Sequence, residues 1–324
     1  MKSILKQVEF NRLDSNSQTL VLWTVILLNF FIGLVSCNSK ETTELKAPSV
    51  EVVPFPNKIL KRGGTISVSN NIWVVANVSD SLSSALATYL VNRLSEVTGQ
   101  EARITDLFST RKHAQSISLE LDYNATATAY EAYTLDITSP QIKIKSKSAQ
   151  GVFYGIQSLM QILKAGANDM EYELPKIVIK DSPRYLIRGV LISRTQLNNI
   201  SDKRFLYRLA VMKINSLFLI DDETQTKKLM REAEENYIKI CSADNLPDDI
   251  TLLDYGRTAE EREKIYTEPN IDTRASGVVL DLTTTALEDL EVKLSVLAEL
   301  SWTFQSNHNF LRLNKLSEKI LELN

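Results

Sequence analysis

The apolar residues of the chain change their spacing from one segment to the next. From Leu20 to Val35 they are almost continuous, broken only by Thr24, Asn29 and Gly33. Beyond Glu51 they become periodic. Ile66-Ser67-Val68-Ser69 and Ile72-Trp73-Val74-Val75 predict two short strands, and Leu82, Leu86, Leu90, Leu94 and Val97 predict a helix over Ser81–Thr98, with Ser81 as N-cap and Gly99 as its stop. Alternation at Ile117–Leu121, Tyr133–Ile137 and Ile142–Lys145 predicts strands with one polar face. A second helix is expected from about Ala149 to Leu163, carried by Val152, Ile156, Leu159, Met160 and Leu163. That order predicts an α+β domain, a sheet with two helices on one face. Farther on, strands are expected at Leu186–Ile192, Ser216–Ile220, Tyr237–Cys241, Ile250–Leu253 and Gly277–Leu282, and a terminal helix around Leu297–Trp302.

The apolar stretch near the start is short for a membrane span and suits the core of a signal peptide, with Lys2, Lys6 and Arg12 before it. Leu34-Val35-Ser36-Cys37 resembles a bacterial lipobox, in which cleavage makes the Cys the lipidated first residue. Cys37 is therefore the expected lipidation site. The expected location is the bacterial cell envelope, with the protein exported and lipid-anchored to a membrane. A signal anchor with an incidental Cys is the alternative, because Glu9 and Asp14 interrupt the leading basic stretch. The organisation predicted is a signal peptide with lipobox over 1–37, a polar tether over 38–50, an α+β domain over 51–183 and a second domain over 184–324.

Composition removes several classes of function. The 324 residues carry 37 Lys+Arg against 40 Asp+Glu, with no basic block interleaved with aromatics, so no nucleic-acid partner is expected. Two His and two Cys exclude a zinc site built mainly from those ligands and a disulfide scaffold. No metal and no cofactor are expected. Cys241, flanked by Ile238 and Ile240, reads as a strand position, and the Lys143/Lys145/Lys147 alternation as a solvated strand face.

Several strings carry a resemblance: Val53-Pro54-Phe55-Pro56, Tyr133 to Ile137, Gly151-Val152-Phe153-Tyr154-Gly155-Ile156-Gln157-Ser158-Leu159, Leu174-Pro175, and Asp181-Ser182-Pro183-Arg184-Tyr185-Leu186-Ile187-Arg188-Gly189. In order and spacing they resemble family 20 glycoside hydrolases, the β-N-acetylhexosaminidases, at the passage from their accessory domain into a catalytic (β/α)8 barrel. The resemblance implies substrate-assisted hydrolysis, in which the sugar's acetamido oxygen attacks the anomeric carbon. An Asp would steady the acetamido nitrogen and the adjacent Glu would protonate the leaving oxygen. It also implies an Arg on the sugar hydroxyls, a Tyr on the acetamido carbonyl, and N-acetylhexosamine-containing glycans as partners.

Matched residue by residue, the resemblance gives Arg188 as the sugar-hydroxyl contact, with an Arg held by a neighbouring carboxylate as the alternative, and Tyr255, before Gly256, as the acetamido contact. Lys213-Ile214-Asn215 fits the family's Lys-x-Asn. The chain departs from the pattern where Ser193, Gln196 and Leu197 replace an Asp and an Arg-His pair, and where Phe218-Leu219-Ile220 replaces His-Trp-His. No Gly-Gly-Asp-Glu occurs, and the only Gly-Gly pair is Gly63-Gly64. No residue is therefore nominated as the family's general acid. The carboxylates expected near a strand end are Asp221, Asp222, Glu223 and Asp254, with Asp222 and Glu223 the catalytic candidates.

About 140 residues follow Arg184, against roughly 250 in a complete eightfold barrel. The second domain is therefore expected to be a partial, incomplete (β/α)8 barrel, an open parallel sheet whose edge is covered by the first domain, by a partner chain, or not at all. Three readings follow: a glycan-associated envelope lipoprotein without hydrolytic chemistry, an active β-N-acetylhexosaminidase using substituted residues, and a structural or partner-binding protein or remnant.

Overall fold

Two β-sheets with helices packed on them make up the described part of the computed structural model, which covers residues 50–68, 72–109, 113–124, 129–168, 171–200, 202–220, 227–254, 271–283 and 290–303. All of these belong to the compact unit Ala47–Asn324. The first sheet contains β1 (Lys58–Val68), β2 (Trp73–Ala76), β3 (Arg103–Asp106), β4 (Ser116–Leu121), β5 (Tyr133–Ile137), β6 (Gln141–Ser146), β7 (Ala167–Asn168) and β8 (Glu171–Asp181). Its order is β1-β8-β5-β6-β4-β2-β3, with β7 paired only to β8. The alternating strings of the sequence become strands with one buried face, as in Tyr133, Leu135 and Ile137 of β5 and Ile142 and Ile144 of β6.

The two long strands β1 and β8 are where the sequence reading was incomplete. β1 extends upstream of Ile66 through Gly63 and Gly64, both at φ 74, and its pairing with β8 shifts register between Lys61 and Thr65. Pro175 sits inside β8 but opposite Thr65 of β1 only, since β5 pairs with β8 no farther than Ile137 against Ile177. A proline that lacks a donor is tolerated where one neighbouring strand has ended.

Helix α1 (Ser81–Thr98) buries Leu86, Leu90 and Leu94. Its N-cap is Asp80, whose carboxylate accepts from Ser83 N at 3.0 Å, one residue before the expected Ser81, while Gly99 ends the helix at φ 65 as expected. Helix α2 (Ala149–Ala165) is capped by Ser148 and buried along nearly its whole length. Gly151 and Gly155, one turn apart, bring it onto the sheet. A Cβ at Gly151 would meet Ser146 Oγ at 2.1 Å, and one at Gly155 would meet Ile144 Cγ2 at 2.5 Å.

The second sheet is parallel throughout, with β9 (Ile187–Ser193), β10 (Ser216–Ile220), β11 (Lys239–Ser242), β12 (Ile250–Asp254) and β13 (Gly277–Asp281) in the order β11-β10-β9-β13-β12. Helices α3 (Arg194–Asn199), α4 (Asp202–Val211), α5 (Lys227–Glu235) and α6 (Leu290–Trp302) accompany it. Val190, Ile192, Leu217, Leu219, Val278 and Leu280 form one apolar face with buried residues of α4, α5 and α6. Leu191, Phe218 and Val279 form a smaller cluster on the other. The terminal helix begins at Leu290, seven residues before the expected Leu297. β11 begins at Lys239 because Tyr237, at φ 55, closes α5 instead of opening a strand.

Candidate functional site

Two places gather the polar side chains that the sequence singled out. The first is a buried junction between the sheets. Helix α4 ends with Lys213 in the left-handed region, φ 58, where its amide donates to Ala210 O and that of Ile214 to Leu209 O. This turn drives the Lys213 side chain inward, where Nζ donates to Asp181 Oδ2 at 2.9 Å and to Tyr133 Oη at 2.9 Å. Both members of the ion pair are fully buried. Burial lowers the Lys213 pKa below its ordinary value, against the pull of Asp181, and burial pushes that of Tyr133 well above its own. Asp181 also accepts from Asn57 N, Asn57 Nδ2 and Ser182 N.

Arg188, at the start of β9, lies in the same junction and is 0% exposed. Nε donates to Lys213 O at 2.8 Å, Nη1 to Tyr185 O at 2.7 Å and Leu186 O at 3.2 Å, and Nη2 to Glu131 Oε2 at 2.6 Å and Tyr154 Oη at 3.3 Å. A guanidinium has five N–H donors, so protein acceptors engage its whole capacity. A sugar hydroxyl could bind it only by displacing one of them. Trp302 lies beneath both cations, 4.9 Å from Arg188 Cζ and 4.5 Å from Lys213 Nζ.

The second place is the C-terminal end of the parallel sheet, the end at which parallel α/β arrangements place their sites. There β9 ends in Ser193, which forms a capping box with Gln196, and Gln196 Nε2 donates to Leu282 O at 2.8 Å. Asp281 ends β13 and accepts from Thr283 N and Thr283 Oγ1. Asp254 ends β12 in register with Asp281. Residues two apart share a face, so Asp254 and Asp281 lie on the face of Ile250 and Val279, one strand spacing apart, ~4.8 Å. Arg188 shares the opposite face with Val190 and Ile192, at the opposite end of its strand.

Arg188 and Asp254 are therefore not brought together. Asp221, Asp222, Glu223, Tyr255 and Cys37, and the stretch Leu20–Val35, lie outside the described residues. Cys241 is partly buried on the Leu191 face. Among the described residues no group of three or more His, Cys, Asp and Glu is placed to hold a metal ion, and no helix is long and apolar enough to cross a membrane. The sequence reading did not single out Glu131, Asp181 or Trp302 as parts of a polar junction. The available signal was Lys213-Ile214-Asn215, whose Asn215 donates to Glu131 Oε1 at 3.2 Å and Leu186 O at 2.8 Å.

Comparison with known proteins agrees with the first sheet. Residues 49–182 match the family described as Glycosyl hydrolase family 20, domain 2. The chain is similar to a Lacto-N-biosidase of Bifidobacterium bifidum, 30% identical over 158 residues, which are 47% of this chain and 14% of that protein. It is similar to a β-hexosaminidase of Vibrio vulnificus, 26% identical over 185 residues, 55% of this chain and 19% of that protein. The fold resembles that of the family 20 β-N-acetylhexosaminidase from Streptomyces coelicolor, with a TM-score of 0.50 and 19% identity, over 70% of this chain and 51% of that one. The chain thus spans a small part of the curated relatives it matches and about half of that solved structure. The first sheet, with α1 and the glycine-seated α2 packed on it, is thus matched end to end by domain 2 of the family 20 glycoside hydrolases, to which residues 49–182 of this chain are similar.

Proposed function

We propose that this chain is a β-N-acetylhexosaminidase-like envelope protein in which the second sheet is a partial (β/α)8 barrel that no longer hydrolyses. Its role on this reading is glycan-associated or structural. The observation that carries it is the division of the polar groups. The one matched Arg is engaged inside the junction, while the strand ends carry Ser193, Gln196, Asp254 and Asp281, with Gln196 and Asp281 held by neighbouring backbone and Thr283. The absence of Gly-Gly-Asp-Glu from the sequence supports the same reading. Losing a positioned general acid removes ~10²–10⁴-fold of rate. On this reading Arg188 holds the two sheets together, and Tyr255 is the remaining sugar contact inherited from the family pattern.

The second reading, an active hydrolase, is favoured by one observation: Asp254 and Asp281 share a register and a face at the end where sites form. Incubation of the full chain with a chromogenic N-acetylglucosaminide decides between the two. No release above the uncatalysed rate is expected. Release that disappears in Glu223→Gln, Asp222→Asn or Asp281→Asn would establish the hydrolase.

Anchoring follows from the lipobox-like Leu34-Val35-Ser36-Cys37. Radiolabelled palmitate fed to a bacterium expressing the chain should label it, and Cys37→Ala should abolish the label and release the protein from the membrane fraction. Label retained in Cys37→Ala would refute this anchor.

A further inference from the structure

Along the β1 edge of the first sheet, two paired strands gather five cations: Lys58, Lys61 and Arg62 from β1, and Lys176 and Lys180 from β8. All are exposed except Lys176, which is half-buried. Lys58 stands directly opposite Lys180, and Lys176 lies ~13 Å back along β8. Thr134 and Lys145 continue the row of Lys58 and Lys180, on the face turned away from α2. Among the described residues no carboxylate pairs with any of the five. We propose that this edge is a docking surface for anionic lipid headgroups, which lays the first sheet against the membrane.

The arrangement of charge selects this partner. Like charges directly opposite in a sheet are destabilising, and Lys58 and Lys180 face each other with no internal anion between them, so the compensating charge comes from outside. Lysines on an edge strand also keep foreign strands away. That role does not call for Lys176 and Lys180, because β8 is an interior strand paired by β1 and β5 on its two sides. The cations are spread along a strand pair and do not converge on a hollow, which suits a field of phosphates better than one small anion. Nearby carboxylates are engaged or distant. Asp181 is turned inward to Lys213, Asp136 accepts from Thr138, Asp122 pairs with Lys145 at 3.1 Å beside Glu120, and Glu173 stands opposite Ser67 at the far end of β1. The chain carries a formal net charge of -3, so this edge reverses the sign of the molecule locally.

The inference builds on the lipid anchor proposed above, which brings the chain to a membrane without setting its orientation. β1 is the first strand after the tether, and Asn57, just before it, is fixed to Asp181 beside Lys180 through its amide and Nδ2. A tether over 38–50 spans at most about 45 Å, so anchor and edge reach one surface. Each cation close to an anionic surface is worth about fivefold in partitioning.

The test is labelling of the full chain by a water-soluble, amine-reactive reagent, read by mass spectrometry. It is done on vesicles of equal parts phosphatidylglycerol and phosphatidylcholine, on phosphatidylcholine alone, and in detergent without vesicles. Labelling of Lys58, Lys61, Lys176 and Lys180 should fall at least about threefold on the anionic vesicles only, and recover at roughly 0.5 M salt. Lys227 and Lys228, exposed on α5, should be labelled alike throughout. Lys58→Glu combined with Lys61→Glu sets an acid opposite Lys180, so the fold should be kept by circular dichroism while Lys176 and Lys180 lose their protection. Should that variant fail to fold, the comparison of vesicles decides. The proposal is overturned if the four lysines are labelled alike on both kinds of vesicle, if Lys227 and Lys228 are protected as strongly, or if protection survives in the folded variant. Protection that appears without vesicles and grows with protein concentration would assign the edge to a second copy and overturn it equally. Flotation with phosphatidylcholine vesicles reads the anchor separately. Failure there removes the anchor and leaves the edge to the labelling, whereas flotation with unchanged labelling removes the edge and leaves the anchor.

Discussion

The ion pair of Lys213 and Asp181 is asymmetric in what each member would have left without the other. Asp181 keeps four donors if Lys213 is removed, from Tyr133 Oη at 2.8 Å, Asn57 N at 3.0 Å, Asn57 Nδ2 at 3.1 Å and Ser182 N at 3.1 Å. Lys213 keeps only Tyr133 Oη as a hydrogen-bond partner, beside the Trp302 ring. Breaking a buried pair costs about 3–5 kcal/mol when the survivor is left uncompensated. Asp181→Asn is therefore expected to cost that much. Lys213→Met should cost roughly 1–3 kcal/mol, the loss of a charged hydrogen bond whose acceptor stays satisfied. Urea unfolding at neutral pH measures both. The reverse ranking would mean that the carboxylate, not the ammonium, depends on the pair.

At the scale of elements, what could be read in advance divides by the range of the forces involved. Helix α2 was legible because its apolar period and its two glycines are local signals, and the glycines turned out to meet Ser146 and Ile144 at distances no Cβ could occupy. Strands β5 and β6 were legible from alternation alone. The full length of β8 was not, since Pro175 breaks the pattern and is tolerated only because β5 stops at Ile137. Tyr237 was read as a strand residue because it opens Tyr237-Ile238-Lys239-Ile240-Cys241, a string whose aromatic and β-branched residues favour a strand. Its left-handed turn is imposed by the closing hydrogen bonds of α5. Among polar groups, Arg188 and Lys213 could be picked out as members of a pattern, but their partners could not. Glu131 is 57 residues from Arg188 and Tyr133 is 80 from Lys213, and nothing in spacing reports a contact that the stacking of two sheets creates. The reading of Arg188 as a sugar contact came from its place in a string. Its face and end within β9 depend on the sheet being in place.

For the whole molecule, the tyrosines tie stability to alkaline pH. Tyr89, Tyr133, Tyr154, Tyr207 and Tyr237 come from α1, β5, α2, α4 and the end of α5, and burial raises the pKa of each above the usual 10.0, that of Tyr237 to about 12. A raised phenol keeps its proton in the folded chain after the unfolded chain has lost it. The stabilisation is complete below pH ~10 and is lost as pH climbs through the folded values. Each phenol that ionises only on unfolding adds about 1.4 kcal/mol per pH unit to the slope. Lys213 acts in the other direction, because its lowered pKa leaves the unfolded chain holding the extra proton below 10.5, so its contribution grows as pH rises to that value. The expected profile is flat or gently rising up to pH ~10 and then steeply falling, with both sheets lost together because Lys213, Arg188 and Trp302 bridge them. Phenolate absorbance near 295 nm, far-ultraviolet circular dichroism and tryptophan fluorescence should then change in one coincident transition above pH ~10. Phenolate absorbance from these five residues developing near pH 10 while the circular dichroism stays native would contradict their burial. Two separated transitions would mean that the junction does not couple the sheets.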